Sequence, residues 1–163
     1  MLCKGVLLLI ALLSYSSEDP NFIFSKDIII QNLLGFRGSF IADIFFQSLG
    51  LISILISVSL IFTGINIFKL KKIILILENY FYIIVYSIIG AFFFNLYYPN
   101  SFWLPINGNG GFVGELISKT FLTSIVNLNN QISYYFLIII IFLVFLKSIN
   151  FNLIWCYGLF KKI

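Results

Sequence analysis

Apolar and polar positions come in long blocks along this chain, not in the short periods of a soluble domain. Four blocks are nearly pure hydrocarbon, over residues 2–15, 39–68, 73–97 and 132–149. A bilayer core takes about 20 apolar residues in helical form, so each block is read as a membrane-spanning helix. The second is the clearest, with Asp43 near one end and no other charge. The third carries Glu78 close to one end, and the fourth is densest over 136–146 and needs Lys147 to snorkel. The first is short, reaching only about 21 Å at 1.5 Å per residue. Three readings fit that shortness: a helix that starts upstream of Met1, a locally thinned bilayer, or a secretory signal. The signal would use Lys4, an apolar run over 5–13 and the residues Ser14-Tyr15-Ser16 around a cleavage site.

Two polar blocks separate the helices on one side, over residues 16–38 and 98–131. In the second, Gly108-Asn109-Gly110-Gly111-Phe112-Val113-Gly114 precedes Phe112, Leu116, Phe121, Ile125 and Leu128 at roughly helical spacing. Glu115 and Lys119 stand four apart on another face. This predicts a helix over 112–128 lying on the membrane surface. Within the second apolar block, Ser39, Asp43, Gly50, Ser53, Ser57 and Gly64 fall in one stripe at about 100° per residue. In lipid, small residues and hydroxyls hold helices together. The stripe is read first as a packing seam within the bundle, and second as an oligomer or partner interface.

Composition agrees: of 163 residues 61% are hydrophobic and 10% charged, with a mean hydropathy of +1.07. This describes one all-α integral membrane domain over 1–163 with about four transmembrane helices. The net charge of +4 is spread singly or in the cluster Lys69, Lys71 and Lys72, which topology explains better than nucleic acid. With the N-terminus inside, Lys4, Lys69, Lys71, Lys72, Lys147, Lys161 and Lys162 are cytoplasmic, against Lys26, Arg37 and Lys119 outside. That asymmetry favours an N-in, C-in arrangement.

Candidate chemistry is sparse. The chain has no histidine, and its two cysteines, Cys3 and Cys156, fall near cytoplasmic ends where thiols stay reduced. No cofactor or metal site is expected. Asp43 lies near the headgroups, in a role at the helix opening with Arg37 as a candidate partner, and Glu78 lies beside the lysine cluster. The glycines at 108–114 match neither phosphate-binding spacing, since Val113 occupies the last position of the G-x-G-x-x-G pattern. No catalytic constellation is present in sequence, so the chain is not read as an enzyme.

One ordered motif stands out: Ser14-Tyr15, Asp19-Pro20, Asn32, Gly35, Gly38-Ser39, Ala42-Asp43 and Gly50. Gly64 follows, then Trp103-Leu104-Pro105 with Gly110, Gly111 and Gly114. The series resembles the N-terminal four-helix membrane domain of FtsK-type (FtsK/SpoIIIE) bacterial DNA translocases. The resemblance implies a multi-pass inner-membrane anchor at the division septum, acting in cell division and chromosome segregation. It also implies a periplasmic surface helix, contacts with membrane lipid and divisome membrane proteins, and homo-oligomers. DNA and ATP binding would belong to a motor domain outside this chain. A small transporter or channel component using Asp43 and the polar stripe is the alternative, and an assembly factor with a cleaved signal a third reading.

Overall fold

The computed structural model describes residues 1–19, 29–70, 74–101 and 103–151. They form α1 (Leu2–Leu13), α2 (Gly35–Leu49), a single 3₁₀ turn (Gly50–Ile52), α3 (Ser53–Leu70), α4 (Ile74–Tyr97), α5 (Gly111–Ser118), α6 (Leu122–Asn127) and α7 (Asn130–Ser148). Three stretches, Gly35–Lys69, Ile76–Tyr97 and Asn130–Ser148, are long and apolar enough to cross a membrane, and α1 is a shorter apolar helix. The chain is therefore a helical membrane domain. Pro20, Lys26, Lys71, Lys72, Cys156, Lys161 and Lys162 lie outside the described residues.

α1 and α3 run antiparallel at backbone contact. A β-carbon on Gly5 would lie 2.7 Å from the Ile61 amide nitrogen, and one on Gly64 would meet the Leu2 backbone. Such approach across glycines is how helices bind where lipid offers no hydrophobic drive. α4 lies at the centre, against α3, α5 and α7. Leu8, Leu12, Phe46, Ile52, Ile83 and Tyr86 make up much of the buried apolar core. The bundle has two unlike ends. One, the loop end, gathers the segments after α1 and α4; the other carries Lys4, Lys69, Glu78 and Lys147.

The second apolar block differs from its prediction. Its helix opens at Gly35 and breaks at Gly50, whose φ of 72° and ψ of −151° suit glycine alone. The break is filled by another segment: the Asn109 carbonyl accepts from the Leu51 amide at 3.0 Å and leaves no room for a side chain at Gly50. Nor do the two halves share an axis. The α1–α3 pairing sets Ser14 level with Ile52, and Asn32 reaches the Ser14 carbonyl while packing on Gly38. Continued straight, α3 would carry Gly38 about 21 Å further. α2 therefore folds off α3 and lies across the loop end of the bundle.

The helix predicted over 112–128 is two short helices. α5 ends at Ser118, where the turn through Thr120 begins with the Thr120 amide donating to the Ile117 carbonyl at 2.9 Å, and α6 follows. Apolar spacing ran through this turn unbroken, so periodicity alone could not reveal it.

Candidate functional site

The loop end is a hydrogen-bonded knot built on the C-terminus of α1. A helix end leaves four carbonyls without intrahelical partners, and in a membrane domain each must find another. The buried Asn32 side chain meets two of these needs, donating to the Ala11 carbonyl at 2.8 Å and the Ser14 carbonyl at 3.2 Å. Its own oxygen accepts from the Leu34 amide at 3.1 Å. The Asp19 carboxylate accepts from the amides of Gln31 and Asn32 at 2.7 and 2.9 Å, fixing the return of the chain. Gly35 opens α2 at φ 65°, and Gly38 faces the Asn32 carboxamide.

A second set of bonds joins the two loops through α2. The Tyr15 hydroxyl donates to Asp43 Oδ1 at 3.1 Å, and Gln47 Nε2 donates to the same oxygen at 3.4 Å. Asn107 then donates to Gln47 Oε1 and to its backbone carbonyl, at 2.9 and 3.1 Å. Burial, reinforced by the Asp43 charge, pushes the Tyr15 hydroxyl above its ordinary range. The expected pairing of Asp43 with Arg37 is absent among the described residues: Asp43 is 5% exposed and faces the bundle, while Arg37 is exposed. The helical phase separates them, since six residues put Arg37 well round the helix from Asp43.

The remaining motif glycines serve close approach. Gly110 and Gly114 lie against the Ala91 carbonyl and Asn95, and Gly111 against the backbone at Ser48 to Gly50. Ser39, Ala42, Ser53, Ser57 and Gly64 are all buried, but the break at Gly50 divides the predicted stripe between two helices. Ser53 donates to the Phe45 carbonyl at 2.9 Å and Ser57 to the Ile54 carbonyl at 2.7 Å.

Sequence reasoning missed a second polar cluster, which runs from the middle of the bundle toward the opposite end. The Ser59 hydroxyl lies 3.0 Å from the Tyr86 hydroxyl and 2.8 Å from that of Ser148, joining α3, α4 and α7. Beside it Asn150 donates to Asn79 at 2.7 Å, Asn79 to Thr63 at 2.9 Å, and Thr63 to the Ser59 carbonyl at 2.8 Å. Asn66 donates to the Ile149 carbonyl at 2.9 Å. The available signal was Ser59, Thr63 and Asn66 at helical spacing, facing an asparagine inside the apolar run of α4. Every buried side-chain nitrogen or oxygen among the described residues has a partner. Among the described residues the arrangement fastens helices to one another.

Fold and knots together define a polytopic helical membrane domain in which the buried polar side chains among the described residues are hydrogen-bonded to neighbouring groups. The family described as the 4TM region of DNA translocase FtsK/SpoIIIE matches residues 1–156, and the chain belongs to that family. The matched region is the membrane part of the translocase and not its motor. Neither a curated protein nor a solved structure matches the chain significantly.

Proposed function

We propose that this domain anchors a FtsK/SpoIIIE-type DNA translocase in the bacterial inner membrane at the division septum, with both termini cytoplasmic, and contacts divisome membrane proteins there. The family match over residues 1–156 carries the reading. The N-in, C-in arrangement draws support from charge: Lys4, Lys69 and Lys147 share one end of the bundle, and Arg37 and Lys119 belong to the other. Retention of the first helix is favoured by its packing, since Ala11 and Leu12 are core residues and Gly5 abuts Ile61. A transport pathway draws no such support, because Asp43 and the serines of the stripe are engaged with neighbouring groups. DNA pumping and ATP hydrolysis belong, on this reading, to a motor outside the domain.

The test is a C-terminal fusion to a fluorescent protein that matures only in the cytoplasm, imaged in dividing cells. A bright midcell band is expected. Uniform membrane fluorescence would overturn the septal role, and a dark but expressed fusion would overturn the topology.

A further inference from the structure

α2 is built inside out for a water-facing helix. Its polar Ser39 and Asp43 are 1% and 5% exposed, whereas Phe36, Ile41 and Ile44 are 55%, 43% and 45% exposed. A helix resting on a soluble core shows the reverse polarity. α5 follows the same plan, burying Gly111 and Gly114 while Phe112 and Leu116 point outward.

The depth of both helices follows from α4. At its loop end, Tyr97 donates to the Asn130 carbonyl at 3.2 Å, and the hydroxyls of Tyr98 and Tyr134 meet at 2.9 Å. This tyrosine cluster is what marks a membrane–water boundary. At the other end Glu78 is exposed, about 28 Å away along the helix, which matches a hydrocarbon core of about 30 Å. Yet the end of α2 and the start of α5 dock far below Tyr97. Ile52, just past the break, packs on Gly90, and Gly110 and Gly114 pack on Ala91. The contacts to Gly90 and Ala91 lie about 10 Å inside the boundary, and those that Gly110 and Gly114 also make with Asn95 about 3 Å inside it.

Backbone groups at the α2 break find partners within the protein, as a break within lipid requires. Gly50 donates to the Phe46 carbonyl, Ser53 to that of Phe45, and Asn107 to that of Gln47. Exposed charges are few and placed to suit. Arg37 sits exposed in the first turn of α2, with a side chain long enough to snorkel toward headgroups, and Lys119 pairs with Glu115 at 2.6 Å.

We propose that α2 and α5 lie within the acyl-chain zone of the leaflet at the loop end, their exposed apolar faces covered by lipid tails. Together they fill the upper part of the hydrophobic layer above the short spans α1 and α3, while α4 and α7 cross it in full. The inference rests on the membrane-domain reading. It makes the domain broader in one leaflet than in the other.

The test uses the full chain with Cys3→Ser and Cys156→Ser, reconstituted in vesicles of phosphatidylcholine and phosphatidylglycerol. Single cysteines at Ile44→Cys, Phe112→Cys, Leu116→Cys, Phe142→Cys and Ser17→Cys carry an environment-sensitive fluorophore. Each is quenched in turn by doxyl groups on lipid tails and by aqueous iodide. The labels at positions 44, 112 and 116 are expected to emit to the blue and to be quenched several-fold more by doxyl tails than by iodide, as Phe142→Cys on α7 is. Position 17 should respond to iodide. Iodide quenching at 44 and 112 with lipid quenching at 142 would overturn the proposal and leave the membrane reading intact. Iodide quenching at 142 would overturn both. Protection from both quenchers at 44 and 112 would show a protein on this face, and would also overturn it.

Discussion

Gly38 lies so close to the carboxamide of Asn32 that no β-carbon fits between them. The contact matters because the same carboxamide caps α1 through the Ala11 and Ser14 carbonyls. Gly38→Ala must displace either the cap or the first turn of α2. It is expected to destabilise the domain by about 1–3 kcal/mol, the usual cost of an extra methyl in a tight site. Asn32→Ala should cost a comparable amount by leaving buried carbonyls without donors. Since both changes act on one contact, the double variant should lose less than their sum. Thermal unfolding in detergent micelles measures all three, and strict additivity would show that the two residues act separately.

The α1–α3 interface makes a separate prediction. Gly64 faces the backbone of Leu2, and Gly5 faces that of Ile61. Gly64→Val should push the helices apart, lower stability by about 1–3 kcal/mol and weaken a disulfide engineered between α1 and α3. Gly90→Ala is a milder case, because the atoms nearest its β-carbon belong to the Ile52 side chain. Side chains yield where backbone does not.

At the far end, hydrogen bonds among the described residues help to fasten α7. Asn150 to Asn79, Ser148 to Ser59 and Asn66 to Ile149 are the bonds that hold its C-terminus. Interhelical bonds of this kind in membranes average about 0.6 kcal/mol and reach about 1.7. A double-mutant cycle on Asn79→Ala and Asn150→Ala should give a coupling in that range. A coupling of zero would mean that the carboxamides find water in place of each other.

Much of this was legible in the sequence, and the exceptions share a cause. The apolar blocks were readable, as three stretches able to span and one shorter apolar helix, because lipid imposes its composition on every span; Asn32, Gly35, Gly38 and Gly64 stood out through the family resemblance. Other features were not. The break at Gly50 lies inside an unbroken apolar run, and what stabilises it, the Asn109 carbonyl, arrives from a segment far along the chain. The partner of Asp43 was misread for a related reason: charge suggested Arg37, whereas Tyr15 lies across α2 from another element. Long-range partners leave no local period. The Ser59–Tyr86–Ser148 cluster escaped notice because single hydroxyls in apolar helices resemble ordinary back-bonded serines until three helices bring them together.

The Tyr15–Asp43 bond predicts how the domain responds to alkali. Burial first, and the Asp43 charge second, raise the folded Tyr15 hydroxyl above its usual value of 10. The folded state therefore holds this proton more tightly than the unfolded chain. Its contribution is fully present below pH 10 and is lost as pH climbs from there toward the folded value. Tyr15→Phe removes both the bond and the titration. The variant should start less stable at neutral pH, yet decline less steeply above pH 10 than the parent chain, so the two stability curves converge. Asp43→Asn keeps an acceptor while removing the charge, and should give an intermediate slope. Chemical unfolding of the three proteins at stepped pH values measures this directly. Parallel curves for parent and Tyr15→Phe would show that the Tyr15 hydroxyl titrates alike in the folded and unfolded chains.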